Sequence, residues 1–200
     1  MENSNTIKID KKILNVGLHK PETALDDEVV LVTDVKLPTD APARMKTLKA
    51  DGKKWYLTVV YHEDTGRPFA LFCHTNNKEK SVSTSTAIDG LIELAYKKGI
   101  LEEHILQVLD KCQSESNVSK LTRVISLLLR HGVHIKNIVR ELDRIDTIVG
   151  SFLFQIKKFL SQYIKNGEKV DGAICSECGG ALIFSEGCMM CTSCGNSKCG

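Results

Sequence analysis

From residue 45 to residue 74 apolar and polar positions alternate with a period of two, and from residue 86 onward they recur at helical spacing. The alternating part predicts strands over residues 45–50, 55–62 and 69–74, joined by the turn sequences Asp51-Gly52 and Glu63-Asp-Thr-Gly-Arg-Pro68. Trp55, Leu57, Val59 and Tyr61 fall on one face of the middle strand, and that face is expected to be core. A three-stranded meander with one apolar face is unstable alone in water, so helices must cover it. Upstream, Ile7-Lys-Ile9 alternates weakly and Glu28-Val-Val-Leu-Val-Thr33 is a better strand candidate. Pro38 and Pro42 hold the linker that follows in an extended form.

The helical part arrives twice. Residues 88–110 align with residues 121–143 at an offset of 33, with Ile92/Ile125, Leu94/Leu127, Gly99/Gly132, Ile105/Ile138, Leu109/Leu142 and Asp110/Asp143 identical. Each copy reads as a helix, a glycine stop and a second helix, and Thr86-Ala-Ile-Asp89 has capping-box character. A DNA-reading helix-turn-helix would repeat outward polar positions, but the identical ones are apolar or turn-forming, which points to packing. A last helix is expected over residues 150–166, where Phe152, Phe154, Ile156, Phe159, Leu160 and Tyr163 make an apolar stripe. Residues 166–172 then read as a polar hinge. The expected fold is α+β: an antiparallel β-meander covered by a duplicated helix-turn-helix layer and a long helix, with a small C-terminal zinc ribbon. The divisions are residues 1–36, an N-terminal segment; 37–166, the α+β domain; and 167–200, hinge and cysteine-rich tail.

Six of the eight cysteines lie in that tail, at Cys175, Cys178, Cys188, Cys191, Cys194 and Cys199. Exposed thiols oxidise, so such a cluster needs a chemical reason, and paired Cys-x-x-Cys units bring sulfurs within reach of one Zn2+ ion. Tetrahedral zinc takes four ligands, so two cysteines are left over. Cys175, Cys178, Cys191 and Cys194 are the preferred set, because both pairs are followed by a glycine that lets backbone amides turn toward the sulfurs. Cys188 and Cys199 are then redox candidates. The alternative set, Cys175, Cys178, Cys188 and Cys191, leaves Cys194 and Cys199 as a dithiol able to close into a disulfide. The polar start, Met1-Glu-Asn-Ser-Asn-Thr-Ile-Lys8, leads us to expect no signal peptide and a cytoplasmic location, where Cys-x-x-Cys means metal or redox work.

Composition adds limits rather than direction. A chain of 200 residues with 42% hydrophobic content can bury a substantial core, and no apolar run approaches membrane-spanning length. A net charge of +2 does not by itself demand nucleic acid. Two lysine groups stand out, Lys46, Lys49, Lys53 and Lys54, and Lys157, Lys158 and Lys165, and a solvated polar face accounts for both. Hydrolytic chemistry has little support. Cys73 and His74 are neighbours on a strand and point to opposite faces. His62 reads as a strand histidine, His131 and His134 as solvated turn residues, and Cys112 as a small apolar filler. Phosphate loops, dinucleotide fingerprints and paired catalytic carboxylates are missing from the sequence.

Several segments together resemble a known domain. Leu37-Pro-Thr-Asp-Ala-Pro42, Trp55-Tyr-Leu-Thr-Val-Val60, Glu63-Asp-Thr-Gly-Arg-Pro-Phe69 and Arg123-Val-Ile-Ser-Leu-Leu-Leu-Arg-His-Gly-Val133 look like the TSCPD domain, found near the C-terminus of adenosylcobalamin-dependent (class II) ribonucleotide reductases. The cysteine-rich tail is similar to the extremity of the same enzymes, in the same order, so the resemblance spans about residues 37–200. The signature that names the domain is replaced by Asp146-Thr-Ile-Val-Gly-Ser151. The resemblance includes none of the barrel that holds cofactor and substrate. It therefore implies an accessory protein, not catalytic alone, that assists deoxyribonucleotide synthesis by binding a reductase catalytic chain or by shuttling electrons through tail thiols. The expectation from another class is a non-catalytic zinc-ribbon module that binds nucleic acid or a protein complex, without a membrane.

Overall fold

The computed structural model describes residues 37–76, 84–112, 116–145, 148–186 and 188–198. The strand candidates at residues 7–9 and 28–33 lie outside them. Three strands, β1 (Ala43–Ala50), β2 (Lys53–Tyr61) and β3 (Pro68–His74), form an antiparallel sheet in sequence order. Asp51 and Gly52 both adopt positive φ, 50° and 70°, the conformation a two-residue hairpin turn needs. Trp55, Leu57 and Val59 are buried and Tyr61 packs against the same core, so the expected inner face is the observed one.

Five helices follow: α1 (Ser85–Lys97), α2 (Glu102–Asp110), α3 (Asn117–Arg130), α4 (Ile135–Ile145) and α5 (Phe152–Ser161). Gly99 and Gly132, with φ of 75° and 73°, end α1 and α3 in the left-handed conformation that lets the chain turn into the next helix. The capping box at Thr86 is not used: α1 starts earlier, and Thr84 at its N-cap makes no side-chain capping bond. The interior glycine Gly90 marks a close approach of α1 to α4. A Cβ there would lie 2.8 Å from Ile145 Cδ1 and 3.1 Å from Glu141 Oε1.

Helix α5 seats on the sheet through the Trp55 and Phe152 rings, whose centroids are 4.5 Å apart. Its N-terminus is held by Asp51 Oδ2, which accepts from Phe152 N–H at 3.2 Å, and by Ser151 Oγ, which accepts from Phe154 N–H at 3.0 Å. At its other end the hydroxyls of Tyr61 and Tyr163 are 2.9 Å apart. The helix is shorter than expected, because the chain passes into turns after Ser161.

Helix α3 closes the outer edge of β3. Val59 and Leu71 are register partners, and the N–H and C=O of Leu71 both face Ser126: Leu71 N–H donates to Ser126 Oγ at 2.9 Å, and Leu71 O lies 3.1 Å from the same oxygen. A helix side chain thus gives the Leu71 N–H an acceptor that a free sheet edge would lack, while its single hydroxyl proton is shared between Leu71 O and Thr122 O, the latter 2.7 Å away. His131, expected to be solvated, is buried at the end of α3, and its ring centroid lies 5.2 Å from that of His104. Burial, then His104 and Arg130, push its pKa down, so the neutral imidazole is favoured.

A second antiparallel sheet carries the tail: β4 (Lys169–Ile174), β5 (Ala181–Ser185), β6 (Cys188–Cys191) and β7 (Ser197–Lys198), in that order. The segment expected to be a hinge is pinned. Gly167 N–H donates to Phe184 O at 2.7 Å, Phe184 N–H donates to Glu168 O at 2.8 Å, and Glu168 also meets Lys136 Nζ at 3.3 Å. Its polar composition hid strand pairing and an ion pair to α4. Val170, Leu182, Phe184 and Met189 join the core that contains Trp55 and the helices. Among the described residues no helix is long and apolar enough to cross a membrane.

Ser126→Ala removes the acceptor of the buried Leu71 N–H. Unfolding in urea is expected to show a loss of about 1–3 kcal/mol, with the Leu71 amide exchanging faster with solvent.

Candidate metal centre

Each Cys-x-x-Cys pair sits on a turn between strands, and the two turns share one backbone pattern. In the first, Gly179 N–H donates to Cys175 O at 2.9 Å and Cys175 N–H donates to Gly180 O at 2.9 Å. In the second, Gly195 N–H donates to Cys191 O at 3.1 Å and Cys191 N–H donates to Asn196 O at 2.8 Å. Gly179 and Gly195 have matching φ values of 71° and 72°, a region side chains disfavour. Both glycines are therefore placed by backbone geometry, as their position after the second cysteine suggested.

The turns face each other. The Sγ atoms of Cys175, Cys178, Cys191 and Cys194 all lie within 4.8 Å of one another, with Cys175 to Cys194 at 3.6 Å and Cys178 to Cys191 at 3.4 Å. A tetrahedral ion with metal–sulfur bonds of about 2.3 Å requires sulfurs about 3.8 Å apart, so the four fit such an ion. Cys175 and Cys191 are buried while Cys178 and Cys194 are exposed, which makes the group a half-sunk site rather than a core cavity. Cys188 is disulfide-bonded and stands apart from the four; Cys199 lies outside the described residues.

Electrostatics in the cluster favour a cation. The Cys194 N–H, then that of Ser193, pull the Cys191 thiol down to about 6. At Cys178 the Gly180 N–H acts in the same direction, but the surrounding sulfurs outweigh it and push the thiol up to about 12. The Cys191 thiolate is therefore favoured, while deprotonation of Cys178 and Cys194 is opposed. A metal ion removes that conflict by stabilising every thiolate at once.

Gly180 is a residue that motif spacing passed over. Its Cβ would stand 2.5 Å from Ser193 Oγ, 2.9 Å from Ser193 Cβ and 3.0 Å from Cys191 Sγ, so a bare Cα is what lets the turns meet. The doubled glycine Gly179-Gly180 was the available signal. The residues weighed for hydrolytic chemistry, which had little support in the sequence, are spread along the sheet. His74 is opposite Tyr56 and Cys73 opposite Leu57, whereas His62 lies past the end of β2, 4.0 Å from Asp64. Cys112 is fully buried. One lysine of each group engages a side chain: Lys46 donates to Gln162 Oε1 at 3.2 Å, and Lys157 donates to Asp143 Oδ1 at 2.7 Å.

No protein-family model, curated protein or solved structure matches the chain.

Gly180→Ala should separate the turns while sparing all four sulfurs. An overpacking cost of about 1–3 kcal/mol translates into metal affinity roughly 5- to 150-fold weaker, measured by competition with a chromophoric chelator. Unchanged affinity would show that the close approach is not needed.

Proposed function

We propose that the chain is a non-catalytic accessory protein whose tail is a zinc ribbon, with Cys175, Cys178, Cys191 and Cys194 holding one Zn2+. The observation that carries this reading is the convergence of the four sulfurs on one point. Four thiolates fill a tetrahedral shell and leave no position for water or substrate, so bound zinc would supply folding energy rather than Lewis-acid chemistry. The six identical positions at an offset of 33 support a duplicated helix-turn-helix layer as the platform beneath the ribbon. The resemblance to the reductase C-terminus supports a partner, the separately encoded catalytic chain of an adenosylcobalamin-dependent ribonucleotide reductase.

Metal analysis of protein prepared under anaerobic reduction is expected to give one zinc per chain. Chelation should make four further thiols titratable, and Cys178→Ser or Cys194→Ser should lower occupancy. Metal-free protein with an unaltered tail would overturn the ribbon. Failure of the zinc-loaded chain to co-elute with the reductase catalytic chain would overturn the accessory role.

The disulfide at Cys188 favours a second reading, thiol–disulfide exchange. A reduced tail dithiol would pass two electrons to a disulfide on the partner, ending as a disulfide itself. Cys188→Ser should then abolish multiple turnovers of a reconstituted reductase while leaving zinc content intact. Unchanged turnover would remove the shuttle.

A further inference from the structure

The outer face of the first sheet, opposite the helices, carries a pattern of its own. Register places its side chains in cross-strand rows: Lys49 with Lys54; Thr47 with Tyr56 and His74; Met45 with Thr58 and Phe72. Met45 is 64% exposed and Phe72 45%, large apolar groups that no element among the described residues covers. Tyr56 and His74 stack, with centroids 5.1 Å apart and planes 15° from parallel, and Lys54 Nζ lies 5.2 Å from the Tyr56 centroid. Val60, Phe69 and Ala70 close the far end of the face as a small cluster with Ala41.

Charge gives the face its sign. Of the cations on the three strands, Lys49 and Lys54 lie on this face while Arg44, Lys46 and Lys53 alternate onto the opposite one, and the strands carry no aspartate or glutamate. Lys49 and Lys54 are direct cross-strand partners, and like charges so placed repel. An anion between them would turn that cost into binding energy. The adjacent Asp51 carboxylate is engaged elsewhere, accepting from Phe152 N–H.

We propose that this face binds single-stranded RNA. Exposed rings on an open sheet offer stacking surfaces to bases, which a duplex keeps paired and a single strand can splay out. Phe72 and His74 are two residues apart on β3, about 7 Å along the strand, enough to separate two unstacked bases. The Lys49–Lys54 pair takes a phosphate beside them. The hydroxyls of Thr47 and Thr58, interleaved with the rings, face the ribose and can engage its 2′-OH, which deoxyribose lacks. The site lies on a different sheet from the cysteines and does not depend on the zinc reading.

The test titrates the full chain into a short fluorescein-labelled oligouridylate, followed by anisotropy at about 50 and about 200 mM salt. Saturable binding that weakens with salt is expected. Phe72→Ala should weaken it roughly 5- to 150-fold. The double variant Lys49→Glu, Lys54→Glu, which alters only exposed groups, should weaken it and flatten its salt dependence, and Lys111→Glu on the helical layer should leave it unchanged. No binding at about 50 mM salt overturns the proposal, as does equal affinity for duplex RNA or full affinity in both sheet variants. Equal affinity for the deoxy oligonucleotide overturns the choice of RNA. If RNA does not bind and Phe72→Ala instead abolishes self-association in sedimentation, the face is an interface between copies and the proposal falls.

Discussion

A three-stranded sheet has two faces, and five helices packed together can bury only one of them; most of what is distinctive in this molecule follows from that constraint. The buried face is anchored where Trp55 meets Phe152, a contact that ties the middle strand to the last helix across most of the α+β domain. Helix α5 is then locked at both ends, by Asp51 and Ser151 at its start and by the Tyr61–Tyr163 pair after its close. Ser126 deals with the remaining weakness of a small sheet, its edge, by giving the backbone of Leu71 a partner from a helix. On the other face no element among the described residues covers Met45 and Phe72, which lie beside the Tyr56 and His74 rings and the ammonium groups of Lys49 and Lys54.

The tail obeys a second constraint. Four sulfurs within 4.8 Å cannot all lose their protons without a positive charge among them, and the opposed tendencies of Cys191 and Cys178 express that conflict. Backbone geometry nevertheless brings them together, through two turns of the same design joined at Gly180. Because Val170, Leu182, Phe184 and Met189 continue the main core, order at the cysteines is mechanically linked to the helices.

Much of this was legible in the sequence, for physical reasons. Period-two alternation around Trp55 identified strands and their inner face, since burial of one face imposes that pattern. Gly99 and Gly132 showed where helices stop, because left-handed turns select glycine. The spacing and glycines of the cysteine pairs pointed to the four that the fold brings together. What was hidden depends on partners distant in sequence. Residues 166–172 look like a hinge until Phe184 and Lys136 are seen to hold them. His131 looks solvated until His104 packs on it. The outer face was overlooked because alternation labels Tyr56, Phe72 and His74 merely as pointing outward, and only register reveals that they are neighbours.

The seat of α5 has one more consequence. Trp55 is the chain's sole tryptophan, it is fully buried, and its indole N–H donates to Ala50 O at 3.3 Å. Tryptophan emission, excited selectively over the tyrosines, therefore has a single source at the junction of strand and helix. The protein carries its own optical gauge of that junction, and a red shift in emission would register the helix lifting from the sheet without any added label.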